Sequence, residues 1–389
     1  MNRFLLLALK APRRILFVGL VMVLAIGYHW IFSGQRRQEQ TGRTVISQRG
    51  AANGEEVERS DEGDSSEEPE VDVRSIVKTD WDAFRAWLSS GPDPEQIALR
   101  LKELRARWVT LDPQALAEAI GELLASGDDA ATGLSFEVGP HGLLEGWTTL
   151  RVFLLDVLAV SDPEMAASLA REVAGHTASA EEFAVALRGL TRAGLGRASD
   201  AELQGLLNHL LSQPSWNQSP GLAEALDLPR FLGSPEAARS LALWQGDGRL
   251  RNMALHEFAA DHPEAMLEVV ASDAIPLVPD ERASLMARAE VEDPRQMDLV
   301  DGYLRRKDVS AEEIAEFLRL FPLRSATTGY RLYGSQPTPY EAGQIAAGDR
   351  AALGLVDRWL GDPGLSAYHG EVQTLKNRLA TWVEQSDSQ

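Results

Sequence analysis

Residues 161–190 read SDPEMAASLAREVAGHTASAEEFAVALRGL. Two helix starts stand in this one stretch. Asp162 precedes Pro163, so an oxygen that can cap free N–H groups is followed by a residue with no N–H to satisfy. Further on, Ser179-Ala180-Glu181-Glu182 has the Ser-x-x-Glu form of a capping box. The arrangement recurs downstream. Asp293-Pro294 precedes Ser310-Ala311-Glu312-Glu313 at the same distance at which Asp162-Pro163 precedes Ser179. SAEEFAVALRGL (179–190) and SAEEIAEFLRLF (310–321) agree at seven of twelve positions. Both elements of the pattern keep the same offset, 131.

Similar starts lie at Asp112-Pro113 and Ser234-Pro235, with a poorer cap at His262-Pro263. Gly91 and Gly127 sit where helix C-terminal glycines belong. Helices are expected to begin near 249, 263, 280, 294 and 311, in steps of 14, 17, 14 and 17, and also near 148, 163 and 180. A helix-pair period of about 31 predicts an all-α chain, an α-solenoid in which stacked neighbours form the core. Leu150–Val160 (LRVFLLDVLAV) is apolar nearly all round, as in a helix packed on both sides. Leu101, Leu104 and Trp108 form a one-sided stripe, and Trp81, Phe84 and Leu88 form another in an N-terminal cap. The body is expected over 79–389, and its pattern leaves open a division into two lobes near 195–235.

The chain resembles helical-repeat proteins of the HEAT and TPR type. It more closely resembles membrane-anchored bacterial proteins of unknown function with recurrent Asp-Pro-x-x-Ala helix starts. The matching elements are Asp112-Pro113, Asp162-Pro163-Glu164-Met165-Ala166 and Ser234-Pro235-Glu236-Ala237-Ala238. The resemblance spans about 94–321 and implies a binding scaffold. A period of 31 departs from the usual TPR repeat, and no TPR consensus is present.

The N-terminal part has another composition. A short basic tail (1–14) precedes Ile15–Phe32, an uncharged run in which Leu, Ile, Val and Phe predominate. At about 1.5 Å of helix per position the run reaches roughly 27 Å, enough for a bilayer core. Its end, Tyr28-His29-Trp30-Ile31-Phe32, is bulky where signal cleavage wants small residues. The expectation is an uncleaved transmembrane anchor over 15–33, with the N-terminus cytoplasmic and the body outside. Residues 34–78 follow as a disordered acidic linker, with ten acids and only Arg59 between Glu55 and Asp72.

The chain has 389 residues and a net charge of −20. Residues 1–49 carry eight bases against Glu39, or +7, so the remainder carries −27. A body that acidic repels nucleic acid, and no nucleic-acid partner is expected. With no cysteine there are no disulfides, thiolate metal sites or thiol nucleophiles. No Gly-Lys dipeptide exists to make a P-loop. His256 and His262 are spaced i, i+6, which sets them far apart round a helix, whereas zinc ligands align at i, i+4. No metal or cofactor is expected.

Two irregular stretches break the helices: Thr132–Trp147, with a strand-like Leu134–Val138, and Pro322–Tyr340. The second holds Arg324, Tyr330, Arg331, Tyr333 and Tyr340. Tyr and Arg are enriched at interfaces, so these five are the candidate partner-binding loop. The competing reading makes its aromatics core plugs of the helix stack. The sequence therefore points to a membrane-anchored, non-enzymatic helical-repeat scaffold binding a protein or peptide outside the cytoplasm. The alternatives are a structural tether, or an enzyme or small-ligand-binding helical domain whose site is assembled from distant residues.

Overall fold

The computed structural model describes residues 72–387, apart from 193–196, 273–274, 325–328, 335 and 337–339. The anchor expected at 15–33 and the linker before residue 72 lie outside the described residues. Among those described, no helix is long and apolar enough to cross a membrane.

The body is all-α apart from one two-stranded ribbon. Its helices are α1 (Val73–Leu88), α2 (Pro94–Trp108) and α3 (Pro113–Ala125), followed by strands β1 (Glu137–Val138) and β2 (Leu144–Gly146). Next come α4 (Leu150–Ser161), α5 (Pro163–His176), α6 (Ala180–Thr191), α7 (Asp200–Leu211), α8 (Pro220–Ala225), α9 (Asp227–Leu232) and α10 (Pro235–Leu243). The chain ends with α11 (Gly248–Asp261), α12 (Pro263–Ala271), α13 (Pro279–Met286), α14 (Pro294–Leu304), α15 (Ala311–Leu320), α16 (Ala342–Leu360) and α17 (His369–Asp387).

Local chemistry sets these boundaries. Asp112, Asp162, Ser234 and Asp293 each accept a hydrogen bond from a first-turn N–H, and each is followed by proline. Gly91 and Gly127 take φ of +72° and +73° just past helix ends. Two expectations need correction. The linker does not run to residue 78. Asp72 caps α1, and Val73 and Val77 extend the buried stripe of Trp81 and Phe84, so 73–78 are helical. The strand-like segment is shorter than expected, because only Glu137 and Val138 pair with β2 while Leu134 and Ser135 do not.

Most helices pack on a chain neighbour and on a helix beyond it. α4, α6 and α8 form one row, continued by α9, α11, α13, α15 and α17. α7, α10, α12 and α14 form a second. Residues 69–389 cluster as a single compact unit, with no break near 195–235.

Ion pairs mark the repeat. Arg151–Glu182 (3.0 Å), Arg171–Glu202 (2.8 Å), Arg230–Asp261 (2.8 Å), Arg282–Glu313 (2.6 Å) and Glu264–Arg295 (2.9 Å) each join positions 31 apart on alternate helices. Arg251–Glu281 does the same at a separation of 30. Arg151–Glu182 and Arg282–Glu313 lie at equivalent places in the duplicated sequence elements, so the duplication carries its bridge with it. This corrects the capping-box reading. Ser179 and Ser310 do cap their helices, but the Glu182 and Glu313 side chains turn away from the cap to meet an arginine two helices back.

Glu313 is 1% exposed and also accepts from the Tyr303 hydroxyl at 2.8 Å. Removing its arginine strands a buried carboxylate. Arg282→Met should cost about 3 kcal/mol in urea denaturation. Arg295→Met removes an exposed member of the same ladder and should leave the midpoint nearly unchanged.

Candidate functional site

Asp156 is the first piece of the site. It sits in the middle of α4, fully buried, and an unpaired carboxylate there would be prohibitively costly. Trp147 Nε1 donates to it at 2.9 Å, Arg105 Nη1 at 3.2 Å, and Arg188 of α6 pairs with it at 2.6 Å. Arg188, itself 1% exposed, also donates to the Gly142 carbonyl at 2.6 Å. The β1–β2 turn is thereby fastened to the helix stack. Gly142 has φ +69°, and a Cβ there would lie 2.7 Å from the Leu332 carbonyl oxygen. Only glycine lets the second irregular stretch pass this close.

That second stretch runs over the first row of helices as a strap. The Leu332 N–H donates to Asp227 of α9 at 2.7 Å. The Tyr333 hydroxyl donates to the Ala184 carbonyl of α6 at 2.9 Å. Arg331 pairs with Asp261 at the end of α11 at 2.5 Å, and its backbone N–H donates to Gln336 at 3.0 Å. Of the five residues expected to face a partner, Tyr330 and Tyr340 are exposed and Arg331 is largely covered by its ion pair. Tyr333 is corrected to a core residue. It is 2% exposed, because its ring fills the stack while its hydroxyl finds a helix carbonyl.

Acids outnumber bases beneath the strap. Arg230 bridges Asp227 (3.0 Å), Glu257 (3.0 Å) and Asp261 (2.8 Å). Glu224 of α8 forms no hydrogen bond or ion pair among the described residues. Burial, with Asp227 and Glu257 nearby, pushes its carboxyl up to about 7. Burial likewise raises Asp227 to about 6, against the opposing effect of the Leu332 N–H. The His262 Nε2–H donates to the Arg230 carbonyl at 2.6 Å, and its ring fills the space where a Cβ on Gly233 would stand.

Beside the strap lies a cleft of about 340 Å³, between the ends of α11 and α13 and the start of α16. Arg324 and Tyr340, two of the five sequence candidates, line it, and Arg331 and Tyr333 do not. Arg324 pairs with Asp349 and donates to the Ile345 carbonyl at 3.0 Å, lying flat over Gly348. Arg288, Glu290, Glu292 and Gln344 add to the polar lining, with Leu323 and Ala259 as apolar wall. The Arg288 Nε–H donates to His256 Nδ1 at 3.3 Å, which places the ring proton on Nε2, facing Ser284 Oγ at 3.3 Å. Burial, then Arg288, pulls the His256 pKa down to about 4, so the ring is neutral. His256 and His262 thus serve different partners, and no group of three or more potential metal ligands is assembled among the described residues.

Sequence reading missed Arg288 and Glu224, and it weighed His256 only as a metal ligand. Arg288 lies in the turn just past α13, and neither it nor Glu224 has a spacing signal to betray it. The Arg230–Asp261 pair did carry a signal, its separation of 31. No family model, curated protein or solved structure matches the chain.

The raised Glu224 pKa fixes a sign. Its stabilising contribution is fully present below about 4.5 and is lost as pH rises through about 7. Glu224→Gln keeps the neutral shape. It should therefore raise unfolding free energy at pH 8 by on the order of 2 kcal/mol and leave it unchanged at pH 4. Urea denaturation of the intact chain at both pH values measures this. Equal effects at the two would show that Glu224 is not a strained acid.

Proposed function

We propose that the body is an α-solenoid scaffold that binds a protein or peptide partner. In this reading residues 15–33 hold it to a membrane and place it outside the cytoplasm. The observation that supports it most is the strap. Tyr330–Gly334, a stretch of the chain itself, is laid across α6, α9 and α11 like a bound peptide. Its side chains and one backbone N–H are met by groups of three separate helices. A surface that grips one extended segment with carboxylates and a helix carbonyl has the chemistry to grip another. The repeat geometry adds length, since alternate helices offer equivalent surfaces once per helix-pair period.

A cross-linked pull-down of the intact anchored protein, read by mass spectrometry, tests the proposal against a chain lacking 73–389. A partner captured only by the full chain is the expected result. Capture of the same proteins by both chains would sink the scaffold reading. So would full retention of function when an unrelated domain replaces the body, which is the behaviour of a tether.

A further inference from the structure

The cleft beside the strap contains a cation that no direct ion pair engages among the described residues. Many largely covered arginines here meet carboxylates: Arg105 pairs with Asp156, Arg151 with Glu182, Arg230 with three acids, Arg282 with Glu313 and Arg324 with Asp349, while Arg378 spends its fork on helix carbonyls. Arg288 forms no ion pair among the described residues. Its one hydrogen bond there spends Nε on a neutral imidazole. Its Nη atoms have no partner among the described residues, and they are not sealed from solvent. A guanidinium does not escape burial by losing its proton, so the cleft keeps a charged fork without a direct partner in a partly dry wall.

Two neutral donors share the cleft with it, Tyr340 and Gln344. Burial, then Glu290, pushes the Tyr340 hydroxyl pKa up, which keeps that O–H protonated. Gln344 spends its carbonyl oxygen on the Glu341 N–H at 2.9 Å, so the amide NH₂ is left to face the cleft. Leu323 and Ala259 give an apolar flank. Glu290 and Glu292 also line the cleft, where they repel a dianion more than a monoanion.

We propose that this cleft is a binding site for a monocarboxylate with an apolar stem, its two oxygens held by the Arg288 fork and by the Tyr340 and Gln344 donors. A fork of two parallel N–H donors matches a carboxylate in plane, and the apolar flank takes the stem. The site stands apart from the scaffold reading, because the carboxylate is either the end of a partner chain or a free small acid.

The intact chain in detergent is titrated by calorimetry with hexanoate, hexanamide, trialanine, trialanine amide and inorganic phosphate. The acids should bind at least ~10-fold more tightly than their amides and more tightly than phosphate. Arg288→Gln should lose ~10-fold or more of that affinity, while the exposed Arg295→Gln should lose none. Tyr340→Phe removes only a hydroxyl from a half-exposed ring, so it should fold normally and weaken binding about threefold. Trialanine binding more tightly than hexanoate identifies a chain terminus, and the reverse identifies a small acid; both support the site. It is overturned if amides match acids, if phosphate binds more tightly, if no probe binds, or if Arg288→Gln, shown to be folded by its urea transition, keeps full affinity.

Discussion

A short helix in this chain cannot bury its apolar face against its hairpin partner alone. The face must be closed by the helix two places on, and that requirement shapes everything else. It explains why α4 is buried nearly all round and why alternate helices stack into rows. It also gives the ion pairs their regular spacing. Glu182, Glu202, Glu281 and Glu313 all stand in the first turn of their helices, each opposite an arginine from the helix two back. The first turn carries unpaired N–H groups and the positive end of the helix dipole, so a carboxylate is favoured there even before its arginine arrives. One acid thus serves the end of its own helix and the register of the next pair.

The strap depends on the same stack. Asp156 needs Arg188, Arg188 holds the Gly142 carbonyl, and Gly142 leaves room for Leu332. The two irregular stretches lie far apart in sequence, yet at Gly142 and Leu332 they close against each other through this chain of contacts. A loop that would otherwise be free is therefore tied into the core by Tyr333 and Asp227. Its cost appears in Glu224 and Asp227, acids kept partly protonated by burial so that the segment above them can lie flat.

What the sequence made legible was whatever repeats or caps. The expected starts near 148, 163, 180, 249, 263, 280, 294 and 311 fall at or close to the first residues of α4, α5, α6, α11, α12, α13, α14 and α15. Proline and its N-cap are local chemistry, and local chemistry survives folding. The Ser-x-x-Glu motif was read only half correctly, because a glutamate at that position has two uses. Tertiary contact with Arg151 or Arg282 outweighs the bond back to its own cap. Tyr333 was misplaced for a related reason. Composition gives the residue types of an interface but cannot separate an interface to a partner from an interface to the rest of the chain.

The charge balance also acquires a structural meaning. The body is strongly acidic, yet its bases are almost all arginine: 33 Arg stand against 5 Lys in the whole chain. A lysine would keep a surface soluble equally well. A planar fork suits pairs fixed between helices, as in the two-pronged contact of Arg282 with both Glu313 oxygens at 2.6 Å. Arginine thus supplies the basic member of every alternate-helix pair described above. With acids in excess, each arginine has many carboxylates available to it. Arg288 meets none among the described residues and is held half-buried against a histidine too desolvated to charge. Arg378 also meets no acid among them, but it spends its fork on the carbonyls of Leu318, Arg319 and Phe321, whereas the Arg288 fork is left facing a cleft.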